Sequence, residues 1–131
     1  MNSPHFHAVI WIDHHLARVF HFNANEEDHK TLHPHNAVLH IHHKVNTIGS
    51  GHETLDHVFL REVTAAVATA GAVLILGPGN AKTELMKHIS RHDPKLKEKI
   101  KGVSAIDHPT DAQILAHARK FFKSEHQLQQ R

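Results

Sequence analysis

The amino-acid sequence predicts an α/β domain with a mixed β-sheet and helices packed on it, in the order β-β-β-α-β-α-β-α. Residues 7–12 and 16–22 are two β-rich runs with a short connection between them, which predicts an opening hairpin. Apolar side chains recur every three or four residues over 55–70, as in an amphipathic helix. Residues 72–76 are continuously apolar, a pattern typical of a strand that helices cover on both faces.

A third strand is predicted before the long helix, over residues 37–45, where apolar and histidine side chains alternate. The polar, acidic residues 23–30 are predicted to form a loop or hairpin tip. Ser50 and Glu53 have the spacing of a capping box, so the long helix is expected to start there and to end at Gly71. Its predicted buried stripe consists of Leu55, Val58, Phe59, Val63, Ala66, Val67 and Ala70.

The second half of the chain alternates helices and strands. Gly77-Pro78-Gly79 turns out of the apolar strand, and Asn80 is expected to cap a helix that ends near His92. Asp93-Pro94 opens a short helical piece, and 102–106 is the predicted last strand. Thr110 and Gln113 form a second capping box before the final helix. One domain is expected over 1–131, with frayed ends at 1–4 and 124–131.

Composition excludes several classes of function. The chain of 131 residues has no cysteine, which excludes disulfides, thiolate zinc sites and thiol catalysis. No apolar run has the ~20 residues of a membrane span, and the N-terminus lacks signal-peptide features, so a cytoplasmic protein without a membrane partner is expected. Lys and Arg number 15 against 13 acidic residues, but the 18 histidines would add positive charge below neutral pH.

The segment Val73-Leu-Ile-Leu-Gly-Pro-Gly-Asn-Ala-Lys-Thr-Glu-Leu-Met-Lys-His-Ile89 resembles the corresponding segment of Pelota-type proteins. With the elements before it, the similarity extends to the middle domain of Pelota and the archaeal and eukaryotic peptide-release factors, in a bacterial stand-alone form. The resemblance implies a ribonuclease H-like topology, shared with components of the translational machinery. It also implies contact with RNA or the ribosome.

Release factors of this family carry a Gly-Gly-Gln tripeptide in the loop between the third strand and the first helix. The corresponding loop here contains Gly49, Ser50, Gly51 and His52, without glutamine. Peptide release by the family's mechanism is therefore not expected, and 131 residues leave no room for Pelota's flanking domains. A non-catalytic domain that needs no cofactor and binds RNA or a ribosomal partner is the leading interpretation, which rests on analogy of fold.

Positive charge is concentrated in one segment that would neutralise RNA phosphates independently of sequence. Asn80 and Lys82, at a helix start, could contribute to phosphate binding. We call residues 80–101 the basic segment; its predicted phosphate-binding residues are Asn80, Lys82, Lys87, Arg91, Lys95, Lys97, Lys99 and Lys101. A solvated helical surface is the alternative interpretation, because the segment has no aromatic residue on which bases would stack.

Three other hypotheses remain open at this stage. Asp13, Glu62 and Asp107 could form the carboxylate set of a metal-dependent phosphodiester hydrolase. His40 and His42, on one predicted strand face, could begin a metal site, as could the equally spaced pairs His5/His7 and His33/His35. An edge strand of the opening hairpin could pair with a second copy and make the protein an oligomeric scaffold.

Overall fold

The computed structural model describes residues 6–24, 26–34 and 55–129, with side chains as far as Ser124. The strands are β1 (His7–Ile12), β2 (Ala17–Phe22), β3 (Glu27–Leu32), β4 (Ala72–Gly77) and β5 (Ile100–Ala105). The helices are α1 (His57–Ala66), α2 (Ala81–His92), α3 (Pro94–Lys97) and α4 (Asp111–Gln129).

The strands form one mixed sheet in the order β3-β2-β1-β4-β5. β1 pairs antiparallel with β2 and β2 with β3, whereas β1 and β4, and then β4 and β5, are parallel. The opening hairpin and the α/β class predicted from the sequence are confirmed. Every residue of β4 is buried, as its continuous apolar run predicts.

The third strand lies elsewhere than predicted. Residues 27–32 pair with β2 in a register running from Ala17↔Leu32 to Phe22↔Glu27, although 27–30 were predicted to belong to a loop or hairpin tip. Asn23 Oδ1 accepts the Glu26 backbone N–H at 2.7 Å and fixes the connection. This strand is exposed at five of its six positions, so it has no buried face to produce an apolar alternation. The predicted strand over 37–45 lies outside the described residues.

Helices cover both faces of the sheet. Alternate residues of β1, such as Ala8 and Ile10, join a core beneath α1, α2 and α3. The intervening residues, such as Val9 and Trp11, join a second core beneath α4. This division follows from the two-residue period of a strand, which sends successive side chains to opposite faces.

The long helix begins later and ends earlier than predicted. Asp56 is its N-cap and accepts the Val58 backbone N–H at 3.0 Å, while Val67 follows the last turn. The predicted Ser50–Glu53 capping box lies outside the described residues. Val58, predicted to be buried, is 45% exposed. Successive residues of an α-helix are about 100° apart around its axis, so Val58 points away from the buried face on which the next residue, Phe59, lies.

The structure also tests the predicted caps at the starts of α2 and α4. Asn80 occupies the N-cap position of α2, but its side chain makes no capping hydrogen bond. Its backbone is already helical (φ −82°, ψ −13°), unlike the extended conformation of a capping residue. The second capping box is confirmed, since Gln113 N donates to Thr110 Oγ1 at 3.1 Å and Thr110 N donates to Gln113 Oε1 at 2.9 Å. β5 spans 100–105 rather than 102–106, with a register shift opposite Val73 and Leu74.

Candidate nucleic-acid interface

A surface groove runs between α1 and α2, and histidines from both helices line it. Two adjacent cavities, of about 420 and 650 Å³, share His57, His88 and His92 in their walls. We call these two cavities together the α1–α2 groove. It lies on the side of the sheet opposite to α4, because α1 and α2 pack on one core and α4 on the other.

The helical repeat brings the three imidazoles together. His88 and His92 are four residues apart on α2 and therefore share a face, with ring centroids 4.7 Å apart. His57, in the first turn of α1, lies 6.3 Å from His88 between centroids. Nδ1 of His88 is buried from solvent and has no hydrogen-bond partner among the described residues. A buried nitrogen without a partner is energetically costly, and this ring atom lacks the hydrogen bond that buried polar groups normally have.

Charged side chains of both signs surround the histidines. Arg61, Lys87 and Arg91 are the cations in the walls, and Glu84 and Asp93 are the acids. Both carboxylates already have partners. Glu84 accepts the Leu55 backbone N–H at 2.9 Å and faces His14 Nε2 at 3.4 Å. Asp93 caps α3 by accepting the Leu96 backbone N–H at 3.2 Å.

The surroundings of His88 disfavour its protonated form. Burial lowers the pKa of this imidazole below its ordinary value of 6.5, and positive charge at His92, His57 and Arg61 lowers it further. Burial acts because a charged group loses hydration there, and the neighbouring charges act by repulsion. His88 is therefore neutral near pH 7 in the empty groove.

The basic segment is distributed over three kinds of position. Lys87 and Arg91 are exposed in the wall of the groove. Lys95 and Lys97 are exposed on α3. The remaining lysines lie in different surroundings. Lys82 Nζ donates to the Gly79 carbonyl at 2.6 Å, Lys99 is half-buried, and Lys101 lies in β5 at the register shift.

The carboxylates of the hydrolase hypothesis are only partly brought together. His108 connects two of them, with Nδ1 2.9 Å from Asp107 Oδ1 and Nε2 3.9 Å from Asp13 Oδ2. The other oxygen of Asp13 accepts the backbone N–H groups of His15 and Leu16 and so holds the hairpin turn. Glu62 belongs to α1. No group of three or more histidine and carboxylate residues within the described ranges could hold a metal ion.

Of the six histidines predicted as paired metal ligands, the structure describes only His7 and His33. The other four, His5, His35, His40 and His42, lie outside the described residues, as does the loop containing Gly49, Ser50, Gly51 and His52. His7 packs among aromatic rings, 4.5 Å from Phe122 and 5.7 Å from Phe22 between centroids. His33 is exposed after β3.

Sequence reasoning did not single out His57, Arg61, His88 or His92. The four-residue spacing of His88 and His92 within a predicted helix was the available signal, because it places both rings on one face. The sequence could not predict that His57 lies next to this pair, because it does not show which helices are neighbours.

Solved structures of translation factors share this fold. Pelota of Archaeoglobus fulgidus superposes with a TM-score of 0.60 at 11% identity, over 87% of this chain and 30% of its own. An archaeal translation termination factor, aRF1, gives 0.57 at 16% identity, over 89% and 34%. Pelota of Thermoplasma acidophilum gives 0.56 at 14% identity, over 83% and 30%. The chain has the fold of a domain of these proteins.

The similarity is one of structure. No family model and no curated protein matches the sequence. The chain spans about a third of the length of the three structural neighbours. Among the described helices, none has the length and apolar character needed to cross a membrane.

Proposed function

We propose that this chain is a non-catalytic domain of the translational machinery that binds RNA, alone or as part of the ribosome, through the basic segment. The observation that carries the proposal is the combination of a translation-factor fold with exposed cations beside an open groove. The domain corresponds, in this proposal, to the middle domain of Pelota and the release factors, in a bacterial form.

The chemistry of the surface favours recognition of the RNA backbone. Lys87, Arg91, Lys95 and Lys97 are exposed on consecutive helices. Such side chains bind phosphates without reading sequence, and binding releases counterions, so affinity falls steeply with salt. The segment contains no Phe, Trp or Tyr on which bases would stack, so affinity should not depend on which bases are present.

The experiment compares two double variants that remove equal charge from opposite faces. Lys95→Gln/Lys97→Gln alters α3, and Lys120→Gln/Lys123→Gln alters exposed positions of α4 on the other side of the sheet. Affinity for a uridine 12-mer is measured at several salt concentrations by fluorescence anisotropy.

We expect the α3 variant to weaken binding and to reduce the slope of log affinity against log salt by about 1.4. This value corresponds to about 0.7 for each phosphate of a single strand that the two lysines no longer neutralise. The α4 variant should behave like the unmodified protein. Absence of RNA binding at low salt, or equal effects of the two variants, would contradict the proposal.

The metal-dependent hydrolase remains an alternative with one supporting observation, the approach of Asp13 and Asp107 to His108. Its signature would be RNA or DNA cleavage that requires Mg²⁺ or Mn²⁺ and is lost in Asp107→Asn. Asp107 is the better position to change, because Asp13 also holds the hairpin turn.

The oligomeric scaffold also remains an alternative, but its surface differs from the one expected. β3 pairs with β2, so the outer strand of the opening hairpin is not an edge, and β3 and β5 are the outer strands of the described sheet. β3 carries Glu27, Asp28 and Lys30, charges of the kind that discourage strand pairing between molecules. A dimer seen by light scattering would support this alternative.

A further inference from the structure

We propose that the α1–α2 groove is a phosphodiester-binding subsite in which His88 takes up a proton when an RNA phosphate enters. This inference rests on the proposed function for the identity of the ligand. Its own basis is the convergence of His57, His88 and His92 on one open cavity and the unpartnered, buried Nδ1 of His88.

The charges facing His88 favour an anionic ligand. From α1 come His57 and Arg61. From α2 and its end come Glu84, Lys87, Arg91, His92 and Asp93. Three permanent cations thus stand against two carboxylates, and both carboxylates are held by backbone N–H groups through Leu55 and Leu96. Protonation of His88 adds positive charge to a site that already holds an excess.

A cation is the less suitable occupant. Two histidines four residues apart are a familiar half of a transition-metal site. Arg61, Lys87 and Arg91 would repel a divalent ion there, and no three histidine or carboxylate side chains of the described residues are arranged to hold a metal ion. The same cations attract a phosphate oxygen, which accepts hydrogen bonds from guanidinium and imidazolium groups.

Proton uptake follows from the electrostatics of the empty groove. Burial is the main cause that lowers the pKa of His88, and repulsion from His92, His57 and Arg61 lowers it further. A phosphodiester between these groups offsets that repulsion and favours the charged imidazole. Binding and protonation therefore strengthen each other, and affinity rises as the pH falls through the range in which His88 of the free groove is uncharged.

The test measures affinity for a uridine 12-mer between about pH 7.5 and pH 6 at constant salt. Neither uracil nor a phosphodiester titrates in this range, so any pH dependence belongs to the protein. The informative variant is His88→Gln, and its matched control is His117→Gln, at an exposed position on α4 across the sheet. A second readout follows the proton NMR shift of the His88 ring against pH, with and without RNA.

For each proton taken up, affinity can rise at most tenfold per pH unit. We expect a gain of about five- to tenfold from pH 7.5 to pH 6 in the unmodified protein and in His117→Gln, and a clearly smaller gain in His88→Gln. The NMR titration midpoint of His88 should move to higher pH when RNA is bound.

Two results separate the two proposals. RNA binding whose pH dependence is the same in His88→Gln and His117→Gln, with an unmoved His88 titration, overturns the groove subsite and leaves the basic segment as the binding surface. Absence of RNA binding at every pH overturns both. Because Gln keeps a polar side chain of similar length, a fold check by circular dichroism distinguishes loss of the proton site from loss of structure.

Discussion

Two glycines flank Pro78 in the same turn, and the structure gives them opposite tolerance to a methyl group. A Cβ added to Gly77 would overlap the Ile12 carbonyl oxygen, far inside the 3.0 Å that real Cβ atoms respect. Gly77 ends β4, which pairs with β1, so the obstacle is backbone in the middle of the sheet. A Cβ added to Gly79 meets nothing within 4 Å. The matched pair is therefore Gly77→Ala and Gly79→Ala.

The magnitude follows from the kind of atom that must move. Overpacking a well-packed core costs about 1–3 kcal/mol. The cost of Gly77→Ala should lie in the upper half of this range, because the obstacle is a backbone carbonyl that no side-chain rotamer change can move. With an unfolding entropy of about 2.1 cal/mol/K for each of 131 residues, 2 kcal/mol corresponds to a Tm lower by about 7 °C. Gly79→Ala should be neutral or stabilising by up to about 1 kcal/mol, because alanine has less conformational entropy to lose.

The assay is thermal unfolding of both variants followed by circular dichroism, with urea denaturation to obtain the free energy of unfolding. Gly77→Ala should lower the urea midpoint without changing the slope, as expected when stability alone changes. Equal Tm values for Gly77→Ala and Gly79→Ala would refute the reasoning, because they would mean that β1 and β4 are not in contact at this point.

Two further predictions concern a cap and a histidine. Thr110→Ala should reduce the free energy of unfolding by about 1 kcal/mol, because Gln113 N loses its hydrogen-bond acceptor. Thr110→Ser keeps a hydroxyl acceptor and should retain most of that stability. Urea denaturation of the two variants checks this prediction. For His88, the folded-state pKa lies below the unfolded value, so acidification protonates the unfolded chain first and stability falls as the pH drops below about 6.5. The loss of Tm between about pH 7.5 and pH 5.5 should therefore be smaller in His88→Gln than in the unmodified protein, and an equal loss would contradict the assigned surroundings of His88.

The sequence predicted most reliably the elements that bury one or both faces. β4 was found from its continuous apolar run and α2 from its flanking turns and periodicity, because burial imposes a pattern that can be read locally. β3 was missed for the converse reason. Its residues are exposed, and it exists because β2 offers a free edge at the right register, which is a property of another segment.

The candidate site divides in the same way. Lys87 and Arg91 could be predicted from the sequence as part of a charged stretch. The four-residue spacing of His88 and His92 was also present in the sequence, but no site was predicted from it. The groove itself exists only because α1 and α2 pack on the same face of the sheet and bring His57 to the pair. In the chain, α1 comes before β4 and α2 follows it, and both helices pack on the same core of the sheet.

In the proposed binding mode, the groove differs from the rest of the basic segment in the kind of contact that it offers to a phosphate. Lysines along an exposed helix add charge at no fixed distance from one another, so they give affinity that salt readily screens. The imidazoles are fixed by two packed helices, with ring centroids 4.7 and 6.3 Å apart, and an anion between them would offset the positive charge that disfavours protonated His88. A phosphate bound there would be distinguished from phosphates elsewhere on the surface by the proton that accompanies it.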